Sequence, residues 1–248
     1  MFEDKSDKEH FPNLNLSQLI FEFESGKCAD GLLASRIQDA LRKYSMAPLY
    51  SALCSKFSWA FHESLHGEML SENEKKVESI EKKLAEALER QGDMEVLDAI
   101  FEKAEHFSCI GDFTNAVKTY DEVIGREKTS TQRKIDAWMC KSRIALFDMN
   151  LTTLKDCLTE AKRLIEIGGD WDRRNRVKVY EGLYLIAKRD MKGAAALLYD
   201  GIATFTCYEI CTYKQFMFYA VLTNVLVLPR TNLEKKIVHN PQVITILR

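Results

Sequence analysis

Apolar residues recur every three or four positions along most of the chain, which is the spacing of one face of a helix. In the first part of the chain this spacing predicts helices over residues 14–24, 32–43 and 49–66. Gly67 is expected to end the third of these helices, since glycine is common just after a helix C-terminus. Ser71 and Glu74 then fit a capping box, which predicts the start of another helix.

The next stretch, residues 72–105, is dense in charge and strong in helix propensity. It holds eleven acidic and six basic residues, and its apolar residues form a narrow stripe that includes Val77, Ile80 and Leu84. This pattern predicts a long, largely solvated helix, with a break at Gln91-Gly92-Asp93. The charged face keeps such a helix soluble, or the helix is an exposed arm that docks a partner. The sequence leaves both interpretations open.

A pattern of apolar and small residues occurs three times in the middle of the chain, and successive copies are 38 and 40 residues apart. Each unit predicts a helix, a tight turn and a second helix, with small residues where the two helices approach closely. The spacing resembles a tetratricopeptide unit, although the period is longer than 34 residues. One such pair cannot bury its apolar face alone, so the pairs are expected to stack. The aligned turns are Gly111-Asp112-Phe113, Met149-Asn150-Leu151 and Arg189-Asp190-Met191.

The predicted fold is therefore all-α, a right-handed α-solenoid of tetratricopeptide-like helical hairpins. Three parts are expected. Residues 1–70 form N-terminal helices, residues 71–110 form the long charged helix that leads into the repeats, and residues 104–248 form the repeats themselves.

Composition supports the helical prediction and excludes several other classes of protein. Only 4 of the 248 residues are proline and 11 are glycine, too few for the frequent turns of an all-β fold. With 46% apolar and 29% charged residues, disorder over most of the length is excluded. A net charge of −2 argues against nucleic-acid binding as the main task.

The lack of a signal-peptide pattern and the arrangement of the cysteines predict an intracellular protein. The first fifteen residues lack the apolar core of a signal peptide. The longest apolar stretch, Phe216 to Leu228, is too short to span a bilayer and is expected to form a buried helix. The seven cysteines include no Cys-x-x-Cys pair, so reduced thiols are predicted, with Cys207 and Cys211 buried rather than bound to metal. The cysteines are Cys28, Cys54, Cys109, Cys140, Cys157, Cys207 and Cys211.

One motif resembles a catalytic site. His62-Glu63-Ser64-Leu65-His66 matches H-E-x-x-H, which on a helix would place two imidazoles toward Zn²⁺ and a carboxylate as general base. Gly67 follows directly and the metzincin continuation is missing, while Glu81 and Glu86 are weak third-ligand candidates. A zinc metallopeptidase is thus a remote alternative to a solvated helix face. No phosphate-binding loop, dinucleotide motif or nucleophile elbow occurs, so no catalytic residue, cofactor, metal or small-molecule substrate is predicted.

The densest functional-looking segment begins at Gly168-Gly169, which is expected to end a helix. Its candidate partner-binding residues are Asp170, Trp171, Asp172, Arg173, Arg174 and Arg176. Asp170 or Asp172 can cap the following helix. The remaining residues allow three interpretations: intramolecular ion pairs between repeats, a docking patch with arginine and tryptophan anchors, or a weak phosphate-binding stripe for RNA.

The same segment carries a resemblance to a known family. The run Glu166 to Tyr184 closely resembles the 26S proteasome non-ATPase regulatory subunit 6 family, a subunit of the regulatory-particle lid. Met46 to Cys54, Ala104 to Asp112 and Thr204 to Glu209 are similar to that family as well. The resemblance covers almost the whole chain in family-typical order. The first subunit of the COP9 signalosome shares the architecture but is less similar across Asp170 to Tyr184.

The resemblance implies a non-catalytic scaffold in ubiquitin-dependent protein degradation, located in the cytoplasm and nucleus. It implies a helical-repeat arm followed by a winged helix, together a PCI domain, with other lid subunits and the ATPase ring as partners and no nucleic acid or membrane. After residues 237–247 the sequence stops, where the family continues through the winged helix and a further helix. A signalosome-type or free-standing helical-repeat adaptor is the alternative.

Overall fold

The computed structural model describes residues 9–26 and 31–247. Over these residues it contains thirteen α-helices and no β-strand, so the prediction of an all-α protein is confirmed. A 3-10 turn occurs at Ile202–Thr204 and a π-helical turn at Glu234–Val238. The helices are α1 (Leu14–Glu24), α2 (Gly31–Lys43), α3 (Ala47–Phe57), α4 (Glu63–Glu89), α5 (Asp93–Ile110), α6 (Phe113–Gly125), α7 (Thr131–Phe147), α8 (Leu151–Gly168), α9 (Trp171–Ala187), α10 (Met191–Gly201), α11 (Tyr213–Val227), α12 (Arg230–Leu233) and α13 (Pro241–Leu247).

The three predicted repeats correspond to the helix pairs α5–α6, α7–α8 and α9–α10, and their turns share one backbone geometry. The first turn residue has a positive φ, which is 80° at Gly111, 53° at Met149 and 66° at Arg189. The next residue caps the second helix through its side-chain oxygen. These caps are Asp112, Asn150 and Asp190, which accept from the backbone N–H groups of Asn115, Thr153 and Gly193. Each pair has the helix–turn–helix form that the repeats predicted, and the right-handed sense of the solenoid stays a prediction.

Small residues lie where paired helices approach closely, as the repeat predicted. Ala116 and Ala194 are fully buried near the starts of α6 and α10. Gly182 on α9 faces Leu198 on α10 so closely that a Cβ atom added to the glycine would lie 2.6 Å from a Leu198 methyl carbon. The close approach of α9 and α10 therefore depends on the absence of a side chain at position 182.

The chain divides into two compact units, with the boundary inside α7. The first unit contains Phe11–Arg133, and the second contains the described residues from Lys134 onward. Large side chains that are fully buried in the first unit include Ile37, Leu41, Ile100 and Tyr120. The second unit has a core of aliphatic and aromatic side chains from α7 to α13, centred on Tyr180, Leu198 and Phe216. The division predicted at residues 70 and 110 stays a prediction.

Two helix boundaries predicted near residue 60 are wrong. The third helix ends at Phe57, where Ser58 adopts a left-handed conformation with φ of 54°. Gly67 does not end a helix, and Ser71 with Glu74 does not begin one, because α4 runs without a break from Glu63 to Glu89. One glycine costs a helix only about 1 kcal/mol, which the strong helix formers around it offset. The break predicted at residues 91–93 is present between α4 and α5.

His106 on α5 introduces a pH-dependent element into the first unit. The ring is buried, and neither of its nitrogens makes a hydrogen bond of normal geometry within the described chain. Burial lowers the pKa of His106 below its usual value of 6.5, and nearby Lys76 lowers it further. The folded protein therefore binds this proton less readily than the unfolded chain does.

We expect His106→Leu to be more stable than the original protein, with a difference that grows as the pH falls. Because the pKa is lowered in the folded state, the stability that neutral His106 provides is fully present above about pH 6.5. This stability is lost as the pH falls toward the folded-state pKa. The difference in free energy of unfolding between the two proteins changes by at most about 1.4 kcal/mol per pH unit. Urea unfolding at pH 7, 6 and 5 measures this difference. If the free energies of unfolding of the two proteins changed in parallel with pH, this would contradict a lowered pKa of His106.

Candidate protein-interaction surfaces

Asp170 begins the candidate segment by capping α9. Its carboxylate accepts a hydrogen bond from the backbone N–H of Arg173 at 2.8 Å and from Arg173 Nη1 at 2.5 Å. The backbone hydrogen bond from Arg173 is the main cause that lowers the pKa of Asp170. Burial opposes it, and the charges of Arg173 and Arg176 lower the pKa further. Asp170 is therefore an ionised cap that also orients an arginine.

Arg173 turns inward and binds α7. Its Nε donates to Asp136 Oδ1 at 2.8 Å and its Nη2 donates to Asp136 Oδ2 at 2.5 Å. This is a bidentate salt bridge between residues that are 37 positions apart in sequence. Both side chains are about one-fifth exposed. The hydrogen bond to Asp136 raises the pKa of Arg173. Arg173 thus joins the start of α9 to α7 and is not available as a surface anchor.

Arg176 makes a second internal pair, with Glu209 in the loop between α10 and α11. Arg176 Nε and Nη2 lie 2.8 and 2.6 Å from Glu209 Oε1. The Glu209 side chain is only 4% exposed. Despite the desolvation that opposes it, the charge of Glu209 raises the pKa of Arg176. The pair fixes the stretch between the 3-10 turn and α11, residues 205–212, which contains no helix or strand.

Tyr180 extends this pair into the core. Its hydroxyl donates to Glu209 Oε1 at 3.4 Å and accepts from Arg143 Nη1 at 3.3 Å. Burial raises the pKa of Tyr180 well above its usual value, so its proton stays in place. We name Arg143, Arg176, Tyr180 and Glu209 the Glu209 network. The guanidinium of Arg176 and the phenol of Tyr180 therefore contact a single buried carboxylate, and the phenol links it to the guanidinium of Arg143.

The cysteines near this network are thiols without a metal-binding arrangement around them. Cys207 and Cys211 are both buried. Burial raises the pKa of Cys207 well above its usual value and that of Cys211 to about 12. Within the described residues no group of three or more histidine, cysteine, aspartate or glutamate side chains could hold a metal ion. Cys28 lies outside the described residues.

The H-E-x-x-H motif is not arranged as a metal site. His62 lies just before α4, and its backbone N–H donates to the Tyr50 hydroxyl at 3.1 Å. The His66 ring packs against Phe61, with 5.1 Å between ring centroids, and against Tyr50. Glu81 and Glu86 lie four or more turns further along α4, about 22 Å or more from His66 along the helix axis. They instead pair with Lys103 and Arg90.

Two of the six candidate partner-binding residues remain on the surface. Trp171 is 63% exposed, and Arg174 is exposed one helical turn further along α9. Arg174 makes no salt bridge to any residue in the described part of the chain. We name these two residues the Trp171 patch. Asp170, Arg173 and Arg176 are used internally, and half-buried Asp172 lies 3.9 Å from Arg176, so a phosphate-binding stripe is reduced to one arginine.

The structure has a second exposed surface, which the sequence pattern did not predict. The stretch Phe216 to Leu228 does form a helix, α11, but the prediction that this helix is buried is wrong for one of its faces. Thr223 and Asn224 lie on the buried face, where Asn224 Nδ2 donates to the Ala195 carbonyl at 3.2 Å. The exposed face, here the α11 apolar face, consists of Phe218 (61% exposed), Leu222 (44%), Val225 (50%) and Leu226 (64%).

The signal for this face was present in the sequence. Phe218, Leu222 and Val225 follow the i, i+4, i+7 spacing of one helix face. A helix that is apolar on all sides is normally buried, and for this reason the sequence pattern predicted burial of the whole helix. Among the described helices, none is long and apolar enough to cross a bilayer.

Comparison with protein families identifies the chain. The family model described as 26S proteasome subunit RPN7 matches residues 63–236, more than half of the sequence. The chain belongs to the RPN7 family. The matched region contains the Glu209 network, the Trp171 patch and the α11 apolar face.

The curated relatives of the chain are named as regulatory subunits of the 26S proteasome. The 26S proteasome non-ATPase regulatory subunit 6 homolog of Arabidopsis thaliana is 38% identical over 215 residues, which cover 87% of this chain and 55% of the relative. The 26S proteasome regulatory subunit rpn7 of Schizosaccharomyces pombe is 35% identical over 246 residues, or 95% and 60%. The Caenorhabditis elegans subunit 6 is 32% identical over 239 residues, or 95% and 58%. The chain thus spans somewhat over half the length of these relatives.

Proposed function

We propose that this chain is a non-catalytic scaffold subunit of the 26S proteasome regulatory-particle lid and serves ubiquitin-dependent protein degradation. The observation that carries the proposal is its membership of the RPN7 family over residues 63–236. Its partners are other lid subunits and the ATPase ring, in the cytoplasm and nucleus. Its contacts are made by helix faces rather than by a catalytic centre.

The exposed surfaces support an assembly role. Scattered apolar residues are normal on a protein surface, but a contiguous exposed apolar face marks a contact with another molecule. The α11 apolar face is of this kind. The Trp171 patch adds a tryptophan and an arginine, two of the residue types that most often anchor protein interfaces.

Affinity purification of the tagged chain from its own cells under gentle, low-salt conditions tests the proposal. Lid subunits are expected to co-purify and to be identified by mass spectrometry. Recovery of signalosome subunits instead would support the signalosome-type adaptor. Absence from every lid and intact 26S fraction would overturn the proposal.

Within the assembly, Trp171→Ala with Arg174→Glu is expected to reduce co-purifying lid subunits by about tenfold, because both anchors of the patch are lost. The melting temperature is expected to stay within about 3 °C of the original, since neither side chain is buried. Quantitative mass spectrometry and thermal melts measure the two effects.

Lys192→Glu serves as the matched control, because it reverses an exposed charge on the neighbouring helix α10. It is expected to leave assembly unchanged. Equal recovery of lid subunits with the double variant and with this control would exclude the Trp171 patch as a contact.

A further inference from the structure

The first unit contains a groove that shares no residue with the Trp171 patch or the α11 apolar face. It is formed by α4, the C-terminal part of α5 and the start of α3, and has a cavity volume of about 350 Å³. Binding pockets generally enclose about 300–1,000 Å³. The groove therefore has room for one or two large side chains and not for a whole helix. We name it the α4–α5 groove.

The floor of the groove is apolar. Leu70 and Val77 line it from α4, two turns apart, and Phe107 lines it from α5. Leu70 is 40% exposed, and Val77 and Phe107 are partly exposed, so these side chains are not fully covered by the rest of the unit. An apolar side chain placed here would remove water from all three of them, which is favourable by about 25 cal/mol per Å² of apolar surface buried.

The rim of the groove is acidic. Glu74 and Glu78 line it one turn apart on α4, and Asp112 lines it from the turn after α5. Glu74 and Glu78 are exposed, and neither makes a salt bridge within the described ranges of the chain. No lysine or arginine is among the described lining residues. The helix that supplies most of the rim, α4, carries eight glutamates and only four lysines.

We propose that the α4–α5 groove binds a peptide segment of a partner protein in which one or two large apolar side chains are flanked by lysine or arginine. The apolar side chains fill the floor, and the basic groups meet the carboxylates of Glu74, Glu78 and Asp112. Charge complementarity selects this occupant, because the acidic rim repels nucleic acid, anionic lipid and acidic peptides. The inference extends the proposed function by naming a class of partner, since a scaffold works through such contacts.

The test uses the purified 248-residue chain and a fluorescein-labelled synthetic peptide of about twelve residues, with leucines at positions i and i+4 and lysines around them. Two matched peptides replace the lysines by glutamate or the leucines by serine. Fluorescence anisotropy is expected to show binding of the leucine–lysine peptide at least about tenfold tighter than that of either matched peptide. The binding is expected to weaken as salt rises from about 0.05 to 0.5 M.

Two double variants locate the site. Glu74→Lys with Glu78→Lys is expected to weaken binding of the leucine–lysine peptide by at least about tenfold, because two attractive charges become repulsive. Glu86→Lys with Glu89→Lys makes the same change of net charge on exposed positions of the same helix, away from the groove. That control is expected to change affinity by less than about twofold. Thermal melts establish that each variant is folded.

Equal weakening by both double variants would show attraction to the acidic helix in general and would overturn the proposal. Equal binding of the serine-containing peptide would do the same, because the apolar floor would then have no part in recognition. Methyl NMR provides an independent check, since Leu70 and Val77 should shift on peptide addition. The test needs only the purified chain, so its failure is distinct from failure of the lid assignment.

Discussion

Replacing Glu209 by alanine is expected to lower the free energy of unfolding by about 3–5 kcal/mol, the usual cost of leaving a buried charge without its partner. In the Glu209 network this carboxylate lies against the guanidinium of Arg176 and the hydroxyl of Tyr180, which also accepts from Arg143. Without it, the guanidinium of Arg176 and the hydroxyl of Tyr180 both lose this buried acceptor. Urea unfolding followed by circular dichroism measures the loss.

Glu209→Gln separates the charge from the hydrogen bonds. Glutamine keeps an acceptor oxygen of similar reach, so a loss smaller than that of the alanine variant is expected. Arg174→Ala, which removes an exposed arginine from the same stretch of α9, is expected to change stability by less than about 0.5 kcal/mol. A Glu209→Ala protein within about 1 kcal/mol of the original would mean that the network is well solvated.

Leu198→Ala and Gly182→Ala are each expected to destabilise the second unit, for opposite reasons. The first leaves a cavity in the core and should cost about 2–5 kcal/mol. The second forces a methyl group to within 2.6 Å of a Leu198 methyl carbon and should cost about 1–3 kcal/mol, because fully buried Leu198 has little room to move. The double variant should cost less than the sum, since the new methyl group occupies part of the vacated space.

Gly67→Ala provides the matched control for a glycine within a helix. Nothing lies within 4 Å of the position its Cβ atom would take, and its φ is not in the left-handed region. This substitution is therefore expected to stabilise the protein by about 0.5–1 kcal/mol. Strict additivity of the Gly182 and Leu198 substitutions would contradict direct contact between the two positions.

The part of the fold that was predictable from sequence is the part fixed by local contacts. Asp112, Asn150 and Asp190 cap helices through hydrogen bonds that span three residues, so a short sequence window contains the whole interaction. Gly67 shows the limit of such windows. A glycine ends a helix when the following residues favour another conformation, and here strong helix formers follow it.

The internal role of the arginines was not predictable in detail. The partners of Arg173 and Arg176 are Asp136 and Glu209, which lie 37 and 33 residues away in sequence. Ion pairs between repeats were one interpretation of these arginines, but no local rule selects these carboxylates among the 37 acidic residues of the chain. Likewise, periodicity alone could not show that only one side of α11 is covered, because both sides are apolar.

The shared turn of the three helix pairs has a consequence for folding kinetics. In each pair the helices are joined by only two or three residues, so the first native contacts form between segments that are close in sequence and cost little loop-closure entropy. Proteins dominated by such short-range contacts have low contact order and fold in microseconds to milliseconds. Long-range pairs such as Arg176–Glu209 would then form late, and their removal should speed unfolding far more than it slows folding.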